Sequence, residues 1–228
     1  MVDIHSHILP FVDDGCANID QALSVISDYV LQGVDTFVFT PHYRKDEYEP
    51  SVELLKETFN DFAKTVNEKY PNVKCYLGEE IFCDYSIYDL LKNNKVLTLN
   101  GTDKVLLEFN YTAFTDIADY VYNLKYLGYV PVIAHIERYD YINDLEQILE
   151  LKENGALIQV NASGLFEHAY KKKVLTLIKN GLVDFICGDA HFGREIYRAK
   201  AYKLVSKKFS KSVADKLFDE NAKNLILK

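Results

Sequence analysis

The chain has 228 residues, 48% of them hydrophobic and 26% charged, with a net charge of −8. That length buries one sizeable core, and the composition argues against disorder and long linkers. The acidic balance disfavours a general nucleic-acid binder, which needs clustered Lys and Arg, but leaves a phosphate substrate open because bound metals reverse the sign locally.

Residues 2–4 read as the first strand. Ile19, Leu23, Ile26 and Val30 then recur at helical spacing over Ile19–Leu31, with Gly33 as the stop. A strand follows at Thr36–Phe39, and Leu55, Phe59, Phe62 and Val66 mark a helix over 52–70 that Pro71 ends. Strands are expected at Lys74–Leu77 and 105–109. Ile117, Val121 and Leu124 predict a helix over 114–127 before Gly128. A strand at 130–134, a helix over 145–151, a strand at 157–160 and a helix over 174–178 come next. Asn154-Gly155 and Asn180-Gly181 close those two helices. A strand at Phe185–Cys187 and helices over 199–209 and 213–227 complete the chain.

Strand alternating with helix implies parallel pairing through right-handed crossovers. An open sheet and a closed barrel both fit that rhythm. Ligand-type residues decide between them, because they stand at the C-terminal ends of nearly every strand rather than at one switch point. Barrel enzymes build their sites there. The expectation is an α/β fold, a distorted (β/α)7 barrel, in a single domain over residues 1–228.

Five of the six histidines lie within four residues of an apolar strand-like run. His5 and His7 are two apart, a spacing that turns both side chains to one face of a strand. Asp14 follows closely. His42 comes after Thr36–Phe39, Glu80 after Lys74–Leu77, and Glu108 closes the run that starts at Lys104. His135 closes the next strand, and Asp189 and His191 follow Phe185–Cys187. Neutral imidazole and carboxylate are the ligands of Zn, Mn and Fe, so nine such groups at one face indicate a multinuclear metal site. Glu79 competes with Glu80, and periodicity does not separate them. His168 has no matching acid and reads as a surface residue. Arg138 and Arg194 each follow a ligand histidine by three residues and are candidate phosphate clamps, since guanidinium forks suit phosphate oxygens.

Cysteine chemistry fits poorly. Tyrosine phosphatases with a Cys nucleophile separate it from Arg by five residues, whereas six lie between Cys187 and Arg194. The G-x-S-x-G elbow and the G-x-x-x-x-G-K-[ST] loop are absent. The four cysteines show no C-x-x-C spacing, and the start has no signal-peptide pattern. Free thiols, a cytoplasmic location and no membrane span are therefore expected.

The chain resembles the PHP (polymerase and histidinol phosphatase) superfamily along essentially its whole length. Asp3-Ile4-His5-Ser6-His7-Ile8-Leu9-Pro10 with Asp13-Asp14-Gly15 is closest to the bacterial manganese-dependent protein-tyrosine phosphatases of capsule and exopolysaccharide clusters. So are Thr40-Pro41-His42, Gly78-Glu79-Glu80-Ile81, Leu107-Glu108-Phe109 and Gln159-Val160-Asn161-Ala162-Ser163. The most specific stretch is Ile133-Ala134-His135-Ile136-Glu137-Arg138-Tyr139. The resemblance implies three divalent ions, usually Mn with Fe or Zn as alternatives. His5, His7, Glu80 and Asp189 would hold one. Asp14, His42 and His191 would hold a second, and Glu80, Glu108 and His135 the third. The family pattern places the ligand second in Glu79-Glu80. It also implies attack by metal-bound hydroxide, an Arg138 clamp, and a phosphotyrosine-rich tail of a bacterial tyrosine kinase as substrate. After Asp189-Ala190-His191 the chain departs from the pattern with a shortened loop, Phe192-Gly193-Arg194-Glu195. That leaves Arg194 or Arg198 as the second phosphate arginine, or none. A small-molecule phosphatase such as histidinol phosphatase, an amidohydrolase and a non-catalytic metal-dependent binding module are the competing readings.

Overall fold

A computed structural model of the chain describes residues 1–226. In chain order the elements are β1 (Val2–Asp3), α1 (Ile19–Leu31), β2 (Thr36–Phe39), β3 (His42–Tyr43), α2 (Val52–Lys69), β4 (Lys74–Leu77) and β5 (Glu80–Phe82). Then come α3 (Ile87–Lys92), β6 (Lys104–Glu108), α4 (Ile117–Tyr126), β7 (Val130–Ile133), α5 (Leu145–Glu153) and β8 (Leu157–Asn161). The last are α6 (Lys171–Lys179), β9 (Phe185–Cys187), α7 (Arg198–Lys208), α8 (Lys211–Asp215), a π-helical turn (Lys216–Glu220) and α9 (Asn221–Ile226). The helix expected over 213–227 is thus broken into three pieces, and Leu227 lies outside the described residues.

Helix starts follow local chemistry. The Asn18 side chain accepts from the Gln21 N–H at 3.0 Å and Ser51 Oγ accepts from the Leu54 N–H at 3.2 Å, each satisfying a free first-turn donor. Asp144 and Gln147 form a reciprocal capping box on α5.

The fold is α/β with every strand pairing parallel. The strands form two ladders, β1-β2-β4 and β3-β5-β6-β7-β8-β9, and among the described residues no single closed one. The split falls at Thr40-Pro41 and Gly78-Glu79. Pro41 has no N–H to give to a ladder. Backbone bonds still cross the gap, from Gly78 N to Phe39 O at 2.9 Å and from Glu80 N to Pro41 O at 3.1 Å. The first and last strands meet beyond their ends. Ser6 bridges Ala190 in parallel, His7 N donates to Ala190 O at 2.8 Å and Asp189 N to His5 O at 3.0 Å.

Alternation along the strands separates two kinds of core. Val2, Ile4, Val38, Leu106, Val132 and Phe185 share one buried cluster with Leu225 and Ile226 of α9. Their neighbours Phe37 and Phe39 pack in a second cluster with Ile26 and Leu55, from α1 and α2. Val105, Leu107 and Ile133 join Val121 and Ile148 in the third.

Arg198, an open candidate for phosphate binding in the sequence, is fully buried and faces away from that role. Its Nη2 donates to Val2 O at 2.7 Å, Nη1 donates to Ile186 O, and Nε lies 3.4 Å from Asp3 Oδ2. The guanidinium also sits 4.9 Å from the Phe218 ring centre. Burial raises the Asp3 carboxyl, and the Arg198 charge with the Gly188 and His5 N–H groups offset part of that. Removing one partner of a buried pair leaves the other uncompensated. Arg198→Leu should therefore destabilise by about 3–5 kcal/mol, lowering the melting temperature of the metal-free protein by roughly 6–20 °C. An unchanged melting curve would show the pair to be energetically idle.

Candidate active site

The strand ends bring all nine predicted ligand residues together. His5 and His7 extend β1, and close backbone approaches seat that segment. A Cβ on Gly15 would stand 1.9 Å from His7 O, and one on Gly188 1.9 Å from the Tyr29 hydroxyl. Only glycine fits at either place. His42 opens β3, Glu80 opens β5, and Glu108 closes β6. His135 and Asp189 follow β7 and β9 with left-handed backbones, φ 31° and 50°.

Glu80 is the hub. Its Oε1 lies 2.9 Å from His135 Nε2 and 3.2 Å from His5 Nε2, and its Oε2 lies 3.2 Å from both His7 Nε2 and His42 Nδ1. Asp189 Oδ1 stands 3.6 Å from His5 Nε2 and 3.5 Å from His7 Nε2. Asp14 Oδ1 lies 3.6 Å from His42 Nε2 and 3.5 Å from His191 Nε2. Glu108 reaches His42 at 3.9 Å and His135 at 3.8 Å. Burial opposes ionisation of Glu80, yet His5, His135 and His7 outweigh it and hold the carboxyl well below its ordinary range. Glu79, the competing acid, is buried elsewhere and accepts from the Leu97 N–H. His168 is exposed.

These donors suit metal ions. His42 Nδ1, His135 Nδ1 and His191 Nε2 are buried without a hydrogen-bond partner among the described residues. His42 Nδ1 is near Glu80 but off the line for an N–H···O bond. His5 Nε2 and His7 Nε2 face each other at 3.3 Å. Three overlapping groups place one ligand atom per residue within 4.8 Å of the rest: His7, Asp14, His42 and His191; His5, His7 and Glu80; His42, Glu80 and Glu108. The third group contains His42 where the family resemblance implies His135.

The mouth is basic. Arg138 Nη2 lies 3.2 Å from Asp189 Oδ2, and half-exposed Arg194 reaches the same oxygen at 3.9 Å. Arg44 Nη2 donates to Glu108 Oε2 at 2.7 Å, while the Tyr111 hydroxyl donates to Glu108 Oε1. Burial and the Glu108 charge raise Tyr111, so it stays a donor. These groups rim a cleft of about 160 Å³ above the histidines.

Sequence reasoning missed the supporting residues. Asp13 Oδ2 accepts from His7 Nδ1 at 2.7 Å and from the His42 N–H at 3.1 Å, and Oδ1 accepts from the Gly15 N–H at 3.0 Å. The doubled Asp13-Asp14 was the available signal. Tyr111 carried none, since it falls in a polar loop after β6.

A family model for capsular polysaccharide synthesis, CpsB/CapC, matches residues 1–227. The chain is 32% identical to the tyrosine-protein phosphatase CpsB of Streptococcus agalactiae, over 99% of this chain and 98% of that one. It is 30% identical to the tyrosine-protein phosphatase YwqE of Bacillus subtilis, over 99% and 91%. Among solved structures, it superposes with a TM-score of 0.92 and 29% identity on a chain from the work on B. subtilis YwqE and Streptococcus pneumoniae CpsB, described as unique metal-dependent tyrosine phosphatases. That match covers 99% of this chain and 94% of the other. A family match over nearly every residue, with close agreement in backbone, makes this chain a member of the CpsB/CapC family of capsular polysaccharide synthesis.

Proposed function

We propose that the protein is a metal-dependent protein-tyrosine phosphatase acting on a bacterial tyrosine kinase tail in the cytoplasm. The observation that carries this is the convergence of nine imidazole and carboxylate groups beneath an arginine-rimmed cleft. His5, His7, Glu80 and Asp189 would hold one ion. Asp14, His42 and His191 would hold a second, and Glu80, Glu108 and His135 a third. Manganese is the proposed ion. Bound divalent ions supply Lewis acidity to a phosphoryl group and lower the pKa of water.

The residues of the chain then divide the remaining work. Arg138, freed from Asp189, offers a guanidinium fork to the non-bridging phosphate oxygens. Arg194 stands beside it as a second cation. Arg44 and Tyr111 hold both oxygens of Glu108, which fixes that carboxylate's orientation. The activity for which the S. agalactiae and B. subtilis relatives are named, tyrosine-protein phosphatase, supports phosphotyrosine over histidinol phosphate. No helix among the described residues is long and apolar enough to cross a membrane.

The same reading takes residues 1–228 as one domain with a distorted (β/α)7 barrel. Its support is the inward cluster shared by residues from several strands and the Ser6–Ala190 bridge between the first and last.

The test is a phosphate-release assay with added Mn on p-nitrophenyl phosphate, a phosphotyrosine peptide and histidinol phosphate, with bound metal counted. More than one ion per chain and preference for the peptide are expected. Cys187→Ser should keep full turnover, because burial raises the Cys187 and Cys83 thiols well above their ordinary range and pushes Cys16 and Cys75 up to about 12. No release from any substrate, or loss of activity in Cys187→Ser with metal retained, would overturn the proposal.

A further inference from the structure

β8 supplies none of the nine ligand residues, yet its end is buried against three of them. Gln159 and Asn161, two apart on one face of β8, are both fully enclosed. Gln159 Oε1 accepts from the His135 N–H at 2.7 Å and lies 3.1 Å from His5 Nδ1. Gln159 Nε2 donates to Asn161 Oδ1 at 2.8 Å, and Asn161 Nδ2 donates to Asp189 Oδ2 at 2.8 Å. The Asn161 N–H donates to Glu137 Oε1 at 2.8 Å, which pins β8 against the turn after His135.

One backbone group sets the direction of this whole chain. The His135 N–H can only donate, so the Gln159 atom facing it must be the oxygen. The Gln159 amide nitrogen must then face Asn161, whose oxygen receives it. That turns the Asn161 amide nitrogen toward Asp189, an acceptor. At the other end, the Gln159 oxygen requires a hydrogen on His5 Nδ1. A neutral ring with hydrogen on Nδ1 has its lone pair on Nε2, the nitrogen that faces Glu80 and Asp189.

We infer that Gln159 and Asn161 are positioning residues that hold His5 in the Nδ1–H tautomer and turn Asp189 Oδ1 toward the same ion. This rests on the reading of His5 and Asp189 as metal ligands. Partners of this kind commonly alter metal affinity by about 10- to 100-fold. Asp13 holds His7 in the corresponding way, through His7 Nδ1, so both histidines of the first strand end would present Nε2 inward.

The experiment uses the full-length protein stripped of metal, titrated calorimetrically with Mn(II) for wild type, Gln159→Leu, Gln159→Glu and Asn161→Ala. Melting curves of the metal-free forms are recorded beside them. Gln159→Leu removes the acceptor and should weaken binding of at least one ion by about 10- to 100-fold. Asn161→Ala should weaken it too. Gln159→Glu keeps an acceptor for His5 and His135, so it should bind more tightly than Gln159→Leu even though a buried charge makes its metal-free fold less stable. A role in packing alone predicts the opposite order, with affinity following the melting temperature. Nitrogen-15 spectra of the Zn(II)-loaded wild type should show His5 protonated at Nδ1. Wild-type affinity in Gln159→Leu, or His5 ligating through Nδ1, overturns the inference while the ligand reading stands. A wild type that binds no ion overturns both. If Gln159→Leu does not fold, Asn161→Ala and the wild-type His5 spectrum decide the matter.

Discussion

Arg138→Ala is expected to lower kcat/KM on a phosphotyrosine peptide by about 30- to 1000-fold, the loss of one charge-assisted, bidentate contact in the transition state, on the order of 2–4 kcal/mol. The side chain stands at the cleft with Nη2 3.2 Å from Asp189 Oδ2 and Nη1 3.5 Å from the Tyr111 hydroxyl. Its contact with Asp189 is with the oxygen turned away from His5 and His7, so its removal should leave the metal content intact. Arg138→Lys should recover only part of the rate, because an ammonium cannot reproduce the fork. Arg194→Ala should be milder, since Arg194 is half-exposed and 3.9 Å from the same oxygen. Kinetics and metal counts on the three variants check this. Wild-type kcat/KM in Arg138→Ala would move the clamp to Arg44 or Arg194.

Glu80→Gln should act by a different route and remove both metal and activity. One carboxylate serves His5, His7, His42 and His135 within 3.2 Å. A neutral amide of nearly the same shape keeps the packing but withdraws the charge shared by two of the proposed ions. Loss of that much Lewis acidity is worth several kcal/mol, so a fall in kcat of about 1000-fold or more is expected. Elemental analysis should show at least one ion fewer per chain. Glu79→Gln is the control, because Glu79 faces Leu97 instead of the cluster. Equal losses in the two variants would mean that charge at this bend matters only for folding.

Much of the site was legible because most of the candidate ligands stand at or within four residues of the end of an apolar run, where an unpaired polar group is expensive. Helix α1 and strands β2, β4 and β9 begin and end where periodicity places them. Other boundaries move by up to three residues at the ends, and α6 begins three residues before the apolar stretch that predicts it. β3 and β5 were missed because they are two and three residues long and continue β2 and β4 past Pro41 and Gly78. α3 has six residues, too few for a helical period to declare itself. Periodicity could not choose between Glu79 and Glu80, since both are buried, whereas the family resemblance favoured Glu80, the one that faces the histidines. Arg198 defeated the sequence for a related reason: a charge beside a proposed phosphate loop gives no sign that it will turn inward to meet Asp3. Gln159 and Asn161 look like ordinary polar residues in an apolar strand, and their meaning depends on which atoms they face.

The backbone at His135 and Asp189 lies in the left-handed region, where a Cβ is unwelcome. For His135 that conformation costs about 1–2 kcal/mol, and for Asp189, a type that tolerates it better, less. Glycine would suit either bend more comfortably, yet glycine brings no ligand atom. Fold and function therefore pull in opposite directions at these two bends, and the protein carries the strain where the side chain is worth more than the backbone's comfort.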